Sequence, residues 1–135
     1  MVDLGFFTDQ YWLLFPFHLI WDTDAAIEDA GMHKSPLRKD SARKVVVKYP
    51  STGGYLPGDT WTLFVGPDGQ IEELDWFGGP AEPSVVKHIW SGYKKAGPFL
   101  FSMERRGPVN GKPSHLFFSN VAVKLVGSSA WIEAK

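Results

Sequence analysis

The chain has no cysteine among its 135 residues, which excludes a disulfide framework, a thiolate nucleophile and a cysteine-ligated metal site. Neither sign of charge is in excess, because 14 basic and 15 acidic side chains give a net charge of −1. Nucleic-acid-binding domains normally carry a basic stripe, and none is visible here. No apolar run reaches the roughly 20 residues of a membrane-spanning helix. We therefore expect neither a nucleic-acid partner nor a transmembrane segment in this chain.

Motifs for catalysis and metal binding are also missing. His33, His88 and His115 lack the spacing of metal ligands, and His88 shares a predicted strand face with apolar neighbours, which indicates a hydrogen-bonded core histidine. The glycine-rich stretches 51–54 and 78–80 are not followed by the lysine and hydroxyl residue of a phosphate-binding loop. We expect no metal, no cofactor and no enzymatic activity.

An acidic stretch offers one possible exception. Glu72, Glu73 and Asp75 could supply the carboxylate pair of a glycoside hydrolase. A single acidic strand is more often a solvated face of a sheet, and we interpret this stretch in that way.

Aromatic residues, in contrast, are abundant: they make up 15% of the chain, with six tryptophans and ten phenylalanines. Aromatic side chains fit pleated, half-buried surfaces, and the 14 glycines and 10 prolines supply frequent turns. The densest apolar stretch is residues 11–22, in which nine of twelve residues are large and apolar or aromatic. We expect the core to form around it.

Within this stretch the sequence predicts a change from helix to extended chain. Thr8 is a plausible N-cap for a short helix over residues 9–14, and Pro16 disfavours helical geometry at Phe15. Residues 17–22 alternate with period two, as an extended segment does.

Period-two patterns and turn residues predict the remaining elements. The turn signals are residues 66–69, Gly-Pro-Asp-Gly, and residues 107–111. We expect a single domain over residues 1–135 that is mainly β with a minor α part: a curved antiparallel sheet or half-barrel of about seven strands with one short helical segment. The predicted strands cover residues 26–29, 43–49, 60–65, 70–77, 85–93, 99–105 and 114–125. We expect the tail after residue 127 to be peripheral, with Trp131 as the residue that could dock.

Five stretches together form a recognisable pattern: Tyr-Trp-Leu-Leu-Phe-Pro-Phe at 11–17, Pro-Gly-Asp-Thr-Trp-Thr-Leu-Phe-Val at 57–65, Pro-Asp-Gly-Gln at 67–70, Trp-Ser-Gly-Tyr at 90–93 and Phe-Ser-Asn-Val at 118–121. In these stretches the chain resembles the bacterial lipoprotein-carrier and lipoprotein-sorting superfamily. The resemblance implies an antiparallel half-barrel with an apolar concave face, in a periplasmic or membrane-anchored exported protein. It also implies that this chain is the carboxy-terminal part of a longer exported one.

His18 could act as an acid or base with a nearby carboxylate, Asp22 or Asp24. In an extended segment, however, His18 and Asp22 would lie about 13 Å apart, at roughly 3.3 Å per residue. We therefore expect both to be structural, with His18 at the rim of the sheet.

The aromatic excess leads to the functional hypothesis. Most of these side chains must form the core, but some could line a concave site for an apolar ligand. We expect a non-enzymatic domain that binds a lipophilic ligand, or a lipidated or other protein partner. The alternatives are an assembly module that uses the apolar face for homodimerisation and a small enzyme using His18 with a carboxylate. The candidate ligand-binding residues are Trp12, Phe15, Phe17, Trp21, Trp61, Phe64, Trp90, Phe99 and Phe101.

Overall fold

The computed structural model describes residues 2–53, 56–79 and 82–135, with the backbone alone described for residues 2–8. The chain begins with a helix, α1, and continues as strands. The elements are α1 Val2–Trp21, β1 Ala26–Lys34, β2 Ser41–Lys48, β3 Thr60–Val65, β4 Ile71–Gly78, β5 Ser84–Ala96, β6 Phe99–Val109, β7 Lys112–Phe117, β8 Ala122–Val123 and β9 Ile132–Glu133.

Strands β1 to β7 form one antiparallel sheet in which every strand pairs with its neighbour in the chain, in the order β1-β2-β3-β4-β5-β6-β7. The sheet does not close on itself, because β1 and β7 are its two edges. Strands β8 and β9 form a separate small ladder. The prediction of a mainly β fold, with about seven antiparallel strands and a single helix, is confirmed.

Two turns show how well local sequence specifies the sheet. In the predicted turn at 66–69 the Gly66 amide donates to the Gln70 carbonyl at 2.9 Å, and Gly69 has a positive φ of 81°. The second turn is tighter than predicted. Only Asn110 and Gly111 separate β6 from β7, with φ values of 49° and 77°, the pattern of a two-residue hairpin turn.

The last predicted strand is too long. Pairing with β6 ends at Phe117, and Asn120 has a positive φ of 56°, which does not fit a continuous strand. The tail then returns as β9, and after that strand Lys135 exchanges two backbone hydrogen bonds of 2.9 and 3.0 Å with Lys95 of β5. Trp131 itself stays exposed.

The helix is the main correction. The predicted end at residue 14 and the extended segment over 17–22 are both wrong, because α1 continues through Pro16 to Trp21. Thr8, the predicted N-cap, lies inside it. Proline lacks an amide hydrogen and so leaves the carbonyl four residues earlier without its helical donor. Here that carbonyl belongs to Trp12, and it accepts a 2.7 Å hydrogen bond from Nη2 of Arg105.

The helix lies on one face of the sheet over two apolar clusters. The larger cluster joins Tyr11 and Phe15 of α1 to buried residues of β2 to β5. The smaller one joins Leu13, Leu14 and Phe17 to the β5–β6 hairpin and the tail. This face, called the helix side below, holds most of the aromatic residues.

Candidate functional site

The candidate ligand-binding aromatics fall mainly on the helix side. Cross-strand register places Trp61 and Leu63 on that side and Phe64 on the opposite one, where it faces Lys44 and Glu73. Phe64 is also buried, but its position on the opposite face separates it from the other candidate aromatics. Trp21 ends α1 and is 59% exposed. The remaining seven residues are Trp12, Phe15, Phe17, Trp61, Trp90, Phe99 and Phe101.

Most of these aromatics pack against one another across the interface between helix and sheet. Phe15 stacks on Trp61 with ring centroids 4.2 Å apart, and Trp12 lies 5.3 Å from the same indole. Phe17 contacts Phe99 and Phe101, each at 5.7 Å. Helix α1 thus occupies the aromatic face that the sequence predicted as a binding surface.

The helix side also contains buried polar atoms with no hydrogen-bond partner among the described residues. This is unusual, because buried polar groups are nearly always hydrogen-bonded. Sequence composition cannot identify such atoms, because whether a buried nitrogen has a hydrogen-bond partner depends on its neighbours in the fold. They are Nε1 of Trp61, Nε1 of Trp90, both ring nitrogens of His88, Nε of Arg105 and Nε2 of His18.

Arg105 brings a buried positive charge to this layer. Its side chain is fully buried, and its guanidinium carbon lies 3.4 Å from the centroid of the Trp90 ring. It donates to the Trp12, Ser102 and Glu104 carbonyls and to the Ser102 hydroxyl. No carboxylate pairs with it in the described part of the chain. Burial lowers the pKa of Arg105 to about 9, so it remains charged at neutral pH.

His88 is a core residue, as predicted, but the predicted hydrogen bond is absent from the part of the structure that is described. Its ring lies 5.8 Å from Trp12. Burial lowers the pKa of His88 to about 4, and the charge of Arg105 adds to this effect. His88 is therefore neutral at pH 7, with one nitrogen as a donor and the other as an acceptor.

His18 and Asp22 form a polar cluster at the end of α1, contrary to the predicted separation of about 13 Å for an extended segment. On a helix they are four residues apart, and Nδ1 of His18 lies 3.3 Å from the Asp22 carboxylate. The Tyr49 and Tyr11 hydroxyls donate to this carboxylate at 2.6 and 3.1 Å. Burial and the adjacent Asp22 raise the pKa of Tyr49. Asp24, the other candidate partner, is exposed.

The His18 ring is held from two further directions. It stacks on Tyr11 with centroids 3.7 Å apart, and Trp21 meets it edge-on at 5.2 Å. Asp22 fixes one nitrogen while Nε2 is buried, an arrangement that orients an imidazole for proton transfer. The sequence signal for this pair is the four-residue spacing of His18 and Asp22, which brings two side chains together only on a helix that continues past Pro16.

The predicted solvated acidic strand is also wrong in part. Glu73 is fully buried on the face away from α1, where its carboxylate accepts hydrogen bonds from the Leu37 and Arg38 amides at 3.0 to 3.2 Å. Burial raises the pKa of Asp75 to about 6, with a further contribution from Glu73. Lys87 lies 3.8 Å from Asp75. Glu73 thus binds the connection between β1 and β2 to the sheet.

The other histidines make ordinary contacts. Nε2 of His33 lies 3.0 Å from the Ala30 carbonyl, and Nε2 of His115 lies 2.7 Å from Glu104. Among the described residues, no group of three histidine, cysteine or acidic side chains is placed to hold a metal ion.

Within the ranges described, no helix combines the length and the apolar character needed to cross a membrane. Comparison of the chain with family models, with curated proteins and with solved structures finds no match.

Proposed function

We propose that the helix side of the sheet binds a lipophilic ligand, such as an acyl chain or the lipidated segment of a protein, and that α1 is its displaceable cover. The observation that carries this proposal is the combination, in one layer, of an aromatic lining with buried polar atoms that have no partner among the described residues. Ligand sites are typically apolar with a few convergent polar groups that fix orientation.

The lining supplies the apolar part of the proposed site. Trp61 and Trp90 extend across the centre of the sheet, and Phe99 and Phe101 continue the surface towards the β5–β6 turn. An aromatic side chain buries roughly 150–250 Å² of surface, so these four residues offer a large apolar area to a ligand that takes the place of α1.

The polar atoms would orient the ligand. The indole Nε1 atoms of Trp61 and Trp90 and the Nε of Arg105 can only donate hydrogen bonds. Together with the charge of Arg105, which no described carboxylate neutralises, they favour a head group rich in oxygen acceptors, such as an ester or a carboxylate.

Helix α1 has features of a removable cover. Pro16 costs it one internal hydrogen bond, and the replacement donor is a side chain of the sheet, Arg105. Its contact residues Trp12 and Phe17 are only partly buried. The setting that we propose is an exported protein, periplasmic or membrane-anchored, as the resemblance to lipoprotein carriers implies.

The test is binding of a fluorescent fatty acid to protein purified without detergent, with native mass spectrometry of the same sample. Phe101 and Phe64 are matched variants, because both are buried phenylalanines, 5% and 3% exposed, on opposite faces of the sheet. We expect Phe101→Leu to weaken binding several-fold and Phe64→Leu to leave it unchanged, after correction for the folded fraction.

Two results would contradict the proposal. One is equal binding by the two variants. The other is a clean dimer without a lipid adduct in native mass spectrometry, which would favour the second use of this face, homodimerisation.

A second candidate function rests on the His18–Asp22 pair. Asp22 holds one ring nitrogen of His18, and the buried Nε2 has no described partner, so a substrate that opened a path to it would meet an oriented base. A panel of ester and amide substrates would be tested with the wild type and His18→Gln. The control is Ser35→Ala, at a buried serine of the β1–β2 connection. Activity lost in His18→Gln alone would support a small enzyme, and identical activities in all three would exclude this role.

A further inference from the structure

The eight residues between β8 and β9, Lys124–Trp131, form an exposed apolar loop that belongs to neither apolar cluster of the helix side. Leu125 is 37% exposed, Trp131 is 68% exposed and Val126 is fully exposed. Single exposed apolar residues are common on protein surfaces. Three within seven positions, at the tip of one loop, are not explained by packing in this structure.

The loop is held in place at its base. Ala134 donates from its amide to the Val121 carbonyl at 2.8 Å, and Lys135 pairs with Lys95 of β5 through two backbone hydrogen bonds. Inside the loop, the Ser128 amide donates to the Leu125 carbonyl at 3.0 Å. The exposed apolar residues are therefore presented by an ordered turn that is attached to the sheet.

Positive charge predominates beside the loop, with three lysines against one glutamate. Lys124 is its first residue, and Lys95 and Lys135 line an open depression of about 510 Å³ together with Trp131, Ile132 and Glu133. None of the three lysines forms an ion pair with another described residue. Lysine stems can cover apolar surface while the ammonium group reaches anionic groups.

We propose that loop 124–131 docks this protein on an anionic phospholipid bilayer. Leu125 and Val126 would enter the boundary of the acyl chains, and Trp131 would lie at the level of the head groups, where tryptophan is enriched. The lysines would contact lipid phosphates, since basic residues next to inserted apolar residues strengthen binding to anionic surfaces. This charge complementarity favours a bilayer over a neutral protein surface.

The experiment is co-sedimentation with vesicles of pure phosphatidylcholine and with vesicles in which about a third of the lipid is phosphatidylglycerol. We expect binding to the anionic vesicles at least about tenfold stronger than to the neutral ones. The variant Leu125→Ser/Val126→Ser/Trp131→Ser should lose most of this binding. Lys95→Gln/Lys124→Gln/Lys135→Gln should lose the preference for anionic lipid.

The control is Ile27→Ser, which replaces an exposed apolar residue, 52% exposed, on edge strand β1 and should bind like the wild type. Loss of vesicle binding with unchanged uptake of monomeric fatty acid would separate this loop from the proposed ligand site. Vesicle binding that the loop variant leaves intact would overturn the inference. So would a concentration-dependent dimer, broken by the loop variant, with no vesicle binding.

Discussion

At the scale of single residues, Arg105 supplies the hydrogen bond that Pro16 removes from α1. Pro16 cannot donate to the Trp12 carbonyl, and a buried carbonyl without a donor costs roughly 1–3 kcal/mol. Arg105 supplies the missing donor from β6. The same bond gives Nη2 of the buried guanidinium an acceptor, while Nη1 donates to Ser102 and Glu104.

The coupling between Pro16 and Arg105 can be measured by a double-mutant cycle. Arg105→Met should lower the free energy of unfolding by roughly 2–4 kcal/mol, because several charged hydrogen bonds are lost. In a Pro16→Ala background the cost should be smaller by about 1 kcal/mol, since the new backbone amide at position 16 can then donate to the Trp12 carbonyl. Urea unfolding of the four proteins gives the coupling energy, and strictly additive effects would contradict this account.

Asp75 and His88 are a second pair of residues with a measurable consequence, because their pKa values move in opposite directions. The pKa of Asp75 rises from 3.8 to about 6, so its contribution to stability is present below pH 3.8 and lost as pH rises through 6. The pKa of His88 falls from 6.5 to about 4, so its contribution is present above pH 6.5 and lost as pH falls through 4. Between pH 4 and 6 the two effects oppose each other.

Substituting either residue alone should therefore produce a dependence of stability on pH that is largely cancelled in the wild type. Asp75→Asn should make stability rise with pH across this window, and His88→Leu should make it fall, each by of the order of 1–3 kcal/mol. The double variant should show little slope from either source. The measurement is the urea unfolding midpoint of each protein at several pH values between 4 and 6.5. If the stabilities of the two single variants changed with pH in parallel, the opposing effects of Asp75 and His88 would be refuted.

At the scale of elements, the buried Glu73 is the anchor of the β1–β2 connection. Its carboxylate accepts from the Leu37 and Arg38 amides, 36 and 35 positions away in the chain. Among the described residues, neighbouring Glu72 forms an ion pair only with the Arg38 guanidinium, at 4.0 Å and near the surface. Two consecutive glutamates thus have different structural roles.

Substitution by glutamine should separate these roles. Glu73→Gln replaces an acceptor by an amide donor facing two backbone amides, and we expect a loss of roughly 1–3 kcal/mol with faster proteolysis of residues 35–40. Glu72→Gln should stay within about 0.5 kcal/mol, as surface pairs do. Limited proteolysis and thermal unfolding test both variants. Equal effects would show that burial of Glu73 has no role in holding the connection.

At the scale of the whole molecule, the sequence predicted the sheet well and the helix poorly. The difference lies in how far apart in the chain the residues that determine each element are. Strand alternation and the turn at Gly66–Gly69 depend on neighbours in the chain, which the sequence displays. The length of α1 depends on Arg105, which meets Trp12 from 93 positions away. The tendency of proline to end a helix is a local effect, whereas the donor that offsets it comes from a distant strand.

The same error hid part of the candidate site. Ending the helix at residue 14 placed His18 and Asp22 far apart, whereas the helix brings them to 3.3 Å. The aromatic content of the sequence predicts most of the aromatic residues of the helix side. It wrongly includes Phe64, because the sequence does not specify which face of the sheet the helix covers. The unpartnered nitrogens of Trp61 and Trp90 have no sequence signal, since pairing depends on three-dimensional neighbours.

The order of the strands has a consequence for folding kinetics. Because each of the seven strands pairs only with the strands next to it in the chain, hairpins can form early and add to one another with short loop closures. The Arg105–Trp12 hydrogen bond, in contrast, joins β6 to α1 across 93 positions of the chain. We therefore expect the meander to form first and the helix to dock last, so that the rate of docking, not of strand pairing, sets how long the aromatic face is open to water.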